Sequence, residues 1–321
     1  MTTPVSVDVG YWTGSFTYWP TVGPQAGQPQ TISIGTGPDA NGIAWVWEKI
    51  DGWDSPDVAG GVIQRGGDHG GWPAFQSYAP RAMTVTIRAS APTQYLRDVA
   101  RATLQRIIPV NDLCLMQYNE PIPKQCWVRR SGRIPETYDN LLEVDFSLVL
   151  IAPDPRKYGT VLRSSPSTTW ISQNYMTIGT AGTPTTIPFA LPNNPAPPAT
   201  TNLNQGNIET RPVVTINGPF HSPGLQLAST GQIVSWTGLT LNPGDLMVID
   251  FDAKMAWVNP GTITLDVPLQ IPAAITGYVA ADVWSSWFEL HPGADSINLL
   301  SGVNVVGDAG IMSTLSRDAW I

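Results

Sequence analysis

The feature that most limits what this chain can fold into is a strict two-residue alternation of apolar and polar side chains. In residues 83–89, Met83, Val85, Ile87 and Ala89 fall on one face, and Thr84, Thr86 and Arg88 on the other. Residues 142–150 repeat the pattern: Leu142, Val144, Phe146, Leu148 and Leu150 alternate with polar residues such as Glu143, Asp145 and Ser147. A pleated strand sends successive side chains to opposite faces, so both segments read as half-buried antiparallel strands. Weaker alternation marks 31–34, 43–49, 125–130, 212–216, 246–251, 254–258, 262–267, 284–290 and 296–300 as further strands. The 30 Gly and 30 Pro among 321 residues follow no collagen-like period, so they punctuate turns between short strands. The expected class is mainly β.

One segment has helical spacing. From Thr93 to Ile107 the apolar residues Leu96, Val99, Ala100, Leu104 and Ile107 recur at steps of three and four. Pro92 suits a first turn and Pro109 ends the pattern. A lone amphipathic helix among strands is expected to cover the apolar face of a sheet.

The chain length suggests about two domains. Residues 184–198 hold 6 Pro in 15 positions, an extended connector rather than a central strand. The expected organisation is a first domain over 1–160, a Pro-rich connector with possible strands over 161–204, and a second domain over 205–321.

Charge excludes some partners. The net charge is −8; residues 1–160 hold 13 Lys/Arg and 15 Asp/Glu, and residues 161–321 hold 4 and 10. Nucleic-acid binding needs a basic surface, so it is not expected, and anionic membranes are disfavoured on the same ground. No apolar run approaches the length of a membrane span, so no membrane insertion is expected. The opening MTTPVSVDVG has no basic residue and no apolar core, so a secretory signal is not expected, and synthesis in a cytoplasm is. Cys114 and Cys126 are too few for a disulfide framework or a zinc site. Two reduced thiols are expected, with a cross-strand bridge left open.

The search for chemistry returns no catalytic residue, no metal site and no cofactor. His69, His221 and His291 lie near Gly or Pro, and no H-x-H or H-E-x-x-H spacing occurs. His69, in GGDHGG, reads as an exposed loop histidine. There is no nucleophile elbow, Walker A loop or dinucleotide fingerprint. Asp250 and Asp252 would share one strand face, where a solvated pair is expected rather than a glycosidase pair. Asp51, Asp54 and Asp57 lack the ligand pattern of a calcium loop.

The tryptophans divide by context. Trp45, Trp47, Trp284 and Trp287 sit in strand-like segments and are expected in cores. Trp53 and Trp72 flank a Gly-rich segment and are expected to be more exposed. Trp53, Trp72, Trp284 and Trp287 are the candidates for glycan or protein contact, since exposed aromatics stack on sugars or anchor interfaces.

Several segments then fit together in order: DGWDSPD (51–57), GGDHGGW (66–72), the strand at 83–89, the helix, WVRR (127–130) and IAPDPRKY (151–158). This order resembles the N-terminal domain of the distal tail proteins of long-tailed, non-contractile bacteriophages. The A-x-D-P-x-x-Y ending after an alternating strand is its most specific element. In the second half, residues 206–219, 241–251 and 287–299 look like the opening strand and later hairpins of that family's C-terminal sandwich.

The resemblance implies a β-sandwich-like ring domain with one packed helix, followed by a galectin-like antiparallel β-sandwich. It implies a virion structural protein without catalytic residues, in a ring of six subunits at the distal end of the tail tube. Its implied partners are copies of itself, the tail tube protein, the tail-tip hub, and receptor-binding proteins or host-surface glycan. The alternative is a carbohydrate-binding baseplate protein that contacts the host envelope directly. The ring-interface candidates are Arg97, Arg101 and Arg106 on the helix and the acids Asp51, Asp54 and Asp57, which could pair across a subunit contact.

Overall fold

A computed structural model describes residues 13–20, 27–67, 69–170, 197–261, 263, 265–268, 275–302 and 308–321. The chain divides into two units, Met1–Thr160 with Trp320–Ile321, and Val161–Ala319.

In the first unit β1 (Gly14–Tyr18), β2 (Gln30–Ile34) and β3 (Ala44–Asp51) are followed by four short strands: β4 (Val58–Ala59), β5 (Val62–Gln64), β6 (Gly71–Pro73) and β7 (Ser77–Tyr78). Then come β8 (Arg81–Ser90), helix α1 (Gln94–Ile107), β9 (Cys114–Tyr118), β10 (Lys124–Arg130), β11 (Glu136–Tyr138), β12 (Glu143–Ala152) and β13 (Lys157–Gly159). The main sheet runs β2-β1-β9-β10-β12-β8-β3. Its strand β10 pairs with β9 through Lys124–Val128 and turns to β12 only at Arg129 and Arg130, so the sheet folds over at that point. The two arms of the fold share one core.

The alternation in β8 and β12 is the cause of that core. Met83, Val85, Ile87 and Ala89 are all buried, as are Val144, Phe146, Leu148 and Leu150. The two strands pair antiparallel over their whole length, Glu143 opposite Ser90 and Ala152 opposite Arg81. Trp45 and Trp47 of β3 join the same core, while Leu142 lies outside the strand and is exposed. Helix α1 starts where its spacing predicts: the Thr93 side chain accepts the Leu96 N–H at 3.2 Å, an N-cap bond. Pro92 therefore precedes the cap and is not in the first turn. Ala100, Leu104 and Ile107 form the buried stripe.

The second unit holds a six-stranded sheet and a four-stranded sheet. The first contains β14 (Arg163–Thr169), β16 (Val213–Asn217), β21 (Leu246–Asp250), β22 (Met255–Val258), β23 (Tyr278–Val279) and β25 (Ile311–Ser316), in the order β14-β25-β16-β21-β22-β23. The second contains β15 (Ala199–Asn204), β18 (Pro223–Leu227), β19 (Ile233–Ser235) and β24 (Gly293–Ser301), in the order β15-β24-β18-β19. A small ribbon pairs β17 (Phe220–His221) with β20 (Thr240–Leu241), and β26 (Ala319–Trp320) closes the chain. Ile216, Ile249 and Met312 of one sheet and Leu225, Ile297 and Leu299 of the other share a buried cluster. The unit is an antiparallel sandwich. Thr200 and Thr314 hydroxyls meet at 2.9 Å inside it, satisfying each other where water is excluded.

Two strand expectations change. Residues 284–290 form no strand: only Leu290 makes a bridge, to Thr210, because Asp282 and Ser285 bond to β19 and bend the chain into a turn. Residues 263 and 265–267 form no strand, and 262 and 264 lie outside the described residues. Within 161–204, expected as a connector with possible strands, Arg163–Thr169 and Ala199–Asn204 form strands of the second unit; 171–196, with the first four prolines of 184–198, lies outside the described residues.

Candidate assembly surface

Between β3 and β8 the chain leaves the first unit's sheet as a long hairpin. β4 pairs with β7 (Val58 opposite Tyr78) and β5 with β6 (Ile63 opposite Trp72). None of the described residues from Asp57 to Pro80 is buried. Val58, Val62, Ile63, Trp72, Phe75 and Tyr78 all present apolar surface to solvent, Phe75 at 89% and Trp72 at 59% of full exposure. Arg65 stacks over Trp72 at 4.2 Å, covering one ring face. Two ladders this short supply no core, and a two-stranded hairpin alone is marginal in water.

The base of this arm is held rigidly. Arg81, fully buried, donates from Nη1 to the carbonyls of Gly52 (3.2 Å) and Trp53 (3.0 Å), and from Nε and Nη2 to Pro155 O at 3.0 and 2.8 Å. Lys157, also buried, donates from Nζ to Trp53 O at 2.8 Å and Asp54 O at 3.1 Å. Burial, then the neighbouring charges of Arg81 and Lys124, push the Lys157 pKa down to about 8; burial also lowers that of Arg81. Trp53 is buried, contrary to the exposure expected of it: its Nε1 donates to the Glu120 carboxylate and its ring meets Tyr118 edge-on at 5.6 Å. Burial raises the Glu120 pKa, but hydrogen bonds from Lys124 and Trp53 outweigh it and hold the carboxyl below its usual range. Ile50, Gly52, Trp53, Tyr118 and Glu120 line an open cleft of about 430 Å³ at this base.

The charged candidates on the helix have partners within the chain. Arg101 Nε lies 2.7 Å from Glu136 Oε1 of β11. Arg97 donates to Leu141 O at 3.0 Å, pairs with Asp98 at 3.1 Å and stacks on Tyr138 at 4.8 Å. Arg106 sits in the last helical turn, where a cation suits the carbonyl end, and has no ion pair among the described residues. Asp51 pairs with Lys49 at 2.6 Å, Asp54 gives its carbonyl to Lys157, and Asp57 gives its carbonyl to Ala79 N–H. The structure does not bring the three arginines to the three aspartates by these contacts within one chain.

In the second unit Trp284 is not in the core: it and Val283 are each 92% exposed. Trp287 is half-buried, edge-on to Trp236 at 6.2 Å and to Phe251 at 5.3 Å. Asp250 is buried and Asp252 lies beyond its strand, paired with Arg211, which also holds Glu289 at 2.6 Å. His69 is exposed; His221 faces Asp308 at 2.6 Å and His291 faces Asp295 at 3.0 Å. Cys114 and Cys126 are free, buried thiols whose pKa values burial raises. Among the described residues no three His, Cys, Asp or Glu side chains converge as metal ligands, and none of the helices is long and apolar enough to cross a membrane.

Sequence reading missed Val283, the apolar arm residues other than Trp72, and the Arg81–Lys157 clamp. Arg81 left a signal, since it stands in phase with the buried Met83 and Val85.

No family model matches the chain, and no curated protein matches it. Its fold does have solved counterparts. The SPP1 Dit protein, described as a paradigm of the hub adsorption apparatus of phages infecting Gram-positive bacteria, superposes with a TM-score of 0.53 at 14% identity, over 86% of this chain and 94% of that one. A chain of the phage P2 baseplate in its activated, calcium-containing conformation gives 0.52 at 9% identity, over 94% and 97%. The chain has the mainly β fold of phage distal tail and baseplate proteins.

Proposed function

We propose that this chain is a non-enzymatic structural protein of a phage tail tip, and that its copies close into a ring, of six subunits in the reading by resemblance. The ring joins the tail tube to the tip hub, and the second unit of each copy serves as a platform for host-binding components. The observation that carries this is the arm: a hairpin with six exposed apolar side chains, fixed at its base by two buried cations, is built to lie on another surface. A surface on a second copy fits best. An arm on one face and its receiving site elsewhere make a heterologous contact, and such contacts generate rings when the rotation closes. Arg106, Asp54 and Asp57 are the charges assigned to setting register between copies.

The test is the assembly state of the full chain by electron microscopy and light scattering, beside a variant in which residues 58–78 are replaced by a short Gly-Ser turn. Closed rings from the native chain and monomers from the armless variant are expected. A native chain that stays monomeric at high concentration, or an armless chain that still forms rings, overturns the proposal.

A further inference from the structure

The turn that follows β23 carries two neighbouring apolar side chains into solvent, Val283 and Trp284, each 92% exposed. Tryptophan is rarely left so bare, because its ring is the largest apolar surface a side chain can bury. Looseness does not explain it. Asp282 N–H donates to Ser235 O at 2.8 Å and Ser286 N–H to Ile233 O at 2.7 Å, so the turn is stitched along β19, the edge strand of its sheet. Ser235 N–H donates to Ser285 Oγ at 3.0 Å, and the Asp282 carboxylate accepts from Ser235 Oγ at 2.6 Å and Thr237 Oγ1 at 2.8 Å. Three residues on, Trp287 anchors the segment in the core against Phe251.

We propose that Val283 and Trp284 form a preorganised knob that docks into an apolar pocket, rimmed by basic residues, on a protein partner other than this chain. Rigid mounting removes much of the ordering cost of binding, and a projecting Trp is the residue type that most often dominates an interface. Charge selects the partner. Residues 255–316 contain no Lys or Arg, and the unit's three arginines are spent internally, Arg163 on Asp318, Arg211 on Asp252 and Glu289, Arg317 on Asp266. The acidic excess attracts Lys or Arg on a pocket rim and repels anionic envelope polymers. Neutral sugar is disfavoured on different grounds. Stacking on a Trp needs flanking polar groups for the hydroxyls, and the side chains of Ser235, Thr237 and Asp282 and the Ser285 hydroxyl are already engaged in the bonds that hold the turn.

This inference rests on the tail-protein reading only for where the partner is sought. The photo-cross-linking residue p-benzoylphenylalanine is placed at position 284 of the full chain during particle production, and both lysate and purified particles are irradiated. Presence of the chain in the particles is read separately by immunoblot, so failure of the tail reading is visible by itself. The expected result is an adduct with one other protein, its cross-linked peptide identified by mass spectrometry as apolar and flanked by Lys or Arg. That protein, purified, should bind the native chain about tenfold or more tighter than Trp284→Ser or Val283→Ser. Trp284→Phe should restore part of the loss, and the thermal midpoints should be unchanged. An adduct only to a second copy, no adduct in either sample, or binding of the native chain to purified cell walls that Trp284→Ser abolishes would overturn the proposal.

Discussion

Lys157 and Arg81 reach the same oxygen: the carbonyl of Trp53 accepts from Lys157 Nζ at 2.8 Å and from Arg81 Nη1 at 3.0 Å. Burial first, and then the repulsion between two cations that share one carbonyl, brings the Lys157 pKa down to about 8. An unfolded lysine keeps its proton to about pH 10.4. Between about pH 8 and 10 the unfolded chain therefore binds the extra proton, so this group makes stability rise with pH. Lys157→Met removes the titration. Urea unfolding should show the native chain gaining roughly 1–3 kcal/mol relative to the variant across that window. Parallel pH profiles would contradict it.

The arm's base and its tip should respond differently to the same substitution. Gly52 has φ +83°, and a Cβ there would stand 2.3 Å from Ala82 O; Gly67 has φ +80°, with open space around it. Gly67→Ala costs only backbone strain, about 1 kcal/mol. Gly52→Ala adds a backbone clash in the clamp and should cost about 2 kcal/mol or more. Equal unfolding midpoints for the two variants would show that the base is not held as described.

Reversing Arg97 and Arg101 to Glu should weaken the first unit before it disturbs any contact between copies. Glu at 101 would face Glu136, and Glu at 97 would lose both Leu141 O and the Tyr138 ring. A loss of about 1–2 kcal/mol in unfolding free energy is expected. Unchanged stability together with a lost ring would instead return these residues to the subunit interface.

What was legible followed from local periodicity. β8 and β12 announce themselves because one face of each is buried along its whole length, and α1 because its stripe and its Thr93 cap agree. The arm was not legible. Its ladders are two and three residues long, and Ile63, Trp72 and Phe75 face solvent, so burial imposes no alternation on them. The sequence places Trp284 in a core strand because its neighbours look strand-like. What bends that segment is Asp282 holding Ser235 and Thr237, more than forty positions earlier, and no local pattern encodes such a pairing. For Trp53 the nearby glycines suggest exposure, whereas Tyr118 and Lys157 from distant strands, and Glu120 from the turn between β9 and β10, bury it.

Asp250 gives the second unit a pH dependence of the opposite sign to that of Lys157. Burial raises its pKa to about 6, against backbone N–H donors at Asp252 and Ala253 that favour the charged form. The unfolded carboxyl releases its proton near pH 3.9. From about pH 4 to 6 the folded state holds a proton that the unfolded state has lost, so stability falls as pH rises through this window and stays lower above it. Asp250→Asn keeps a carbonyl oxygen for the Asp252 N–H, now at 2.8 Å from Oδ1, and carries no charge to bury. At about pH 7.5 the variant should therefore be more stable than the native chain by roughly 1–3 kcal/mol, with the difference vanishing near pH 4. Differential scanning calorimetry at both pH values checks this. A variant less stable at neutral pH would mean that the carboxylate's hydrogen bonds outweigh the cost of burying its charge.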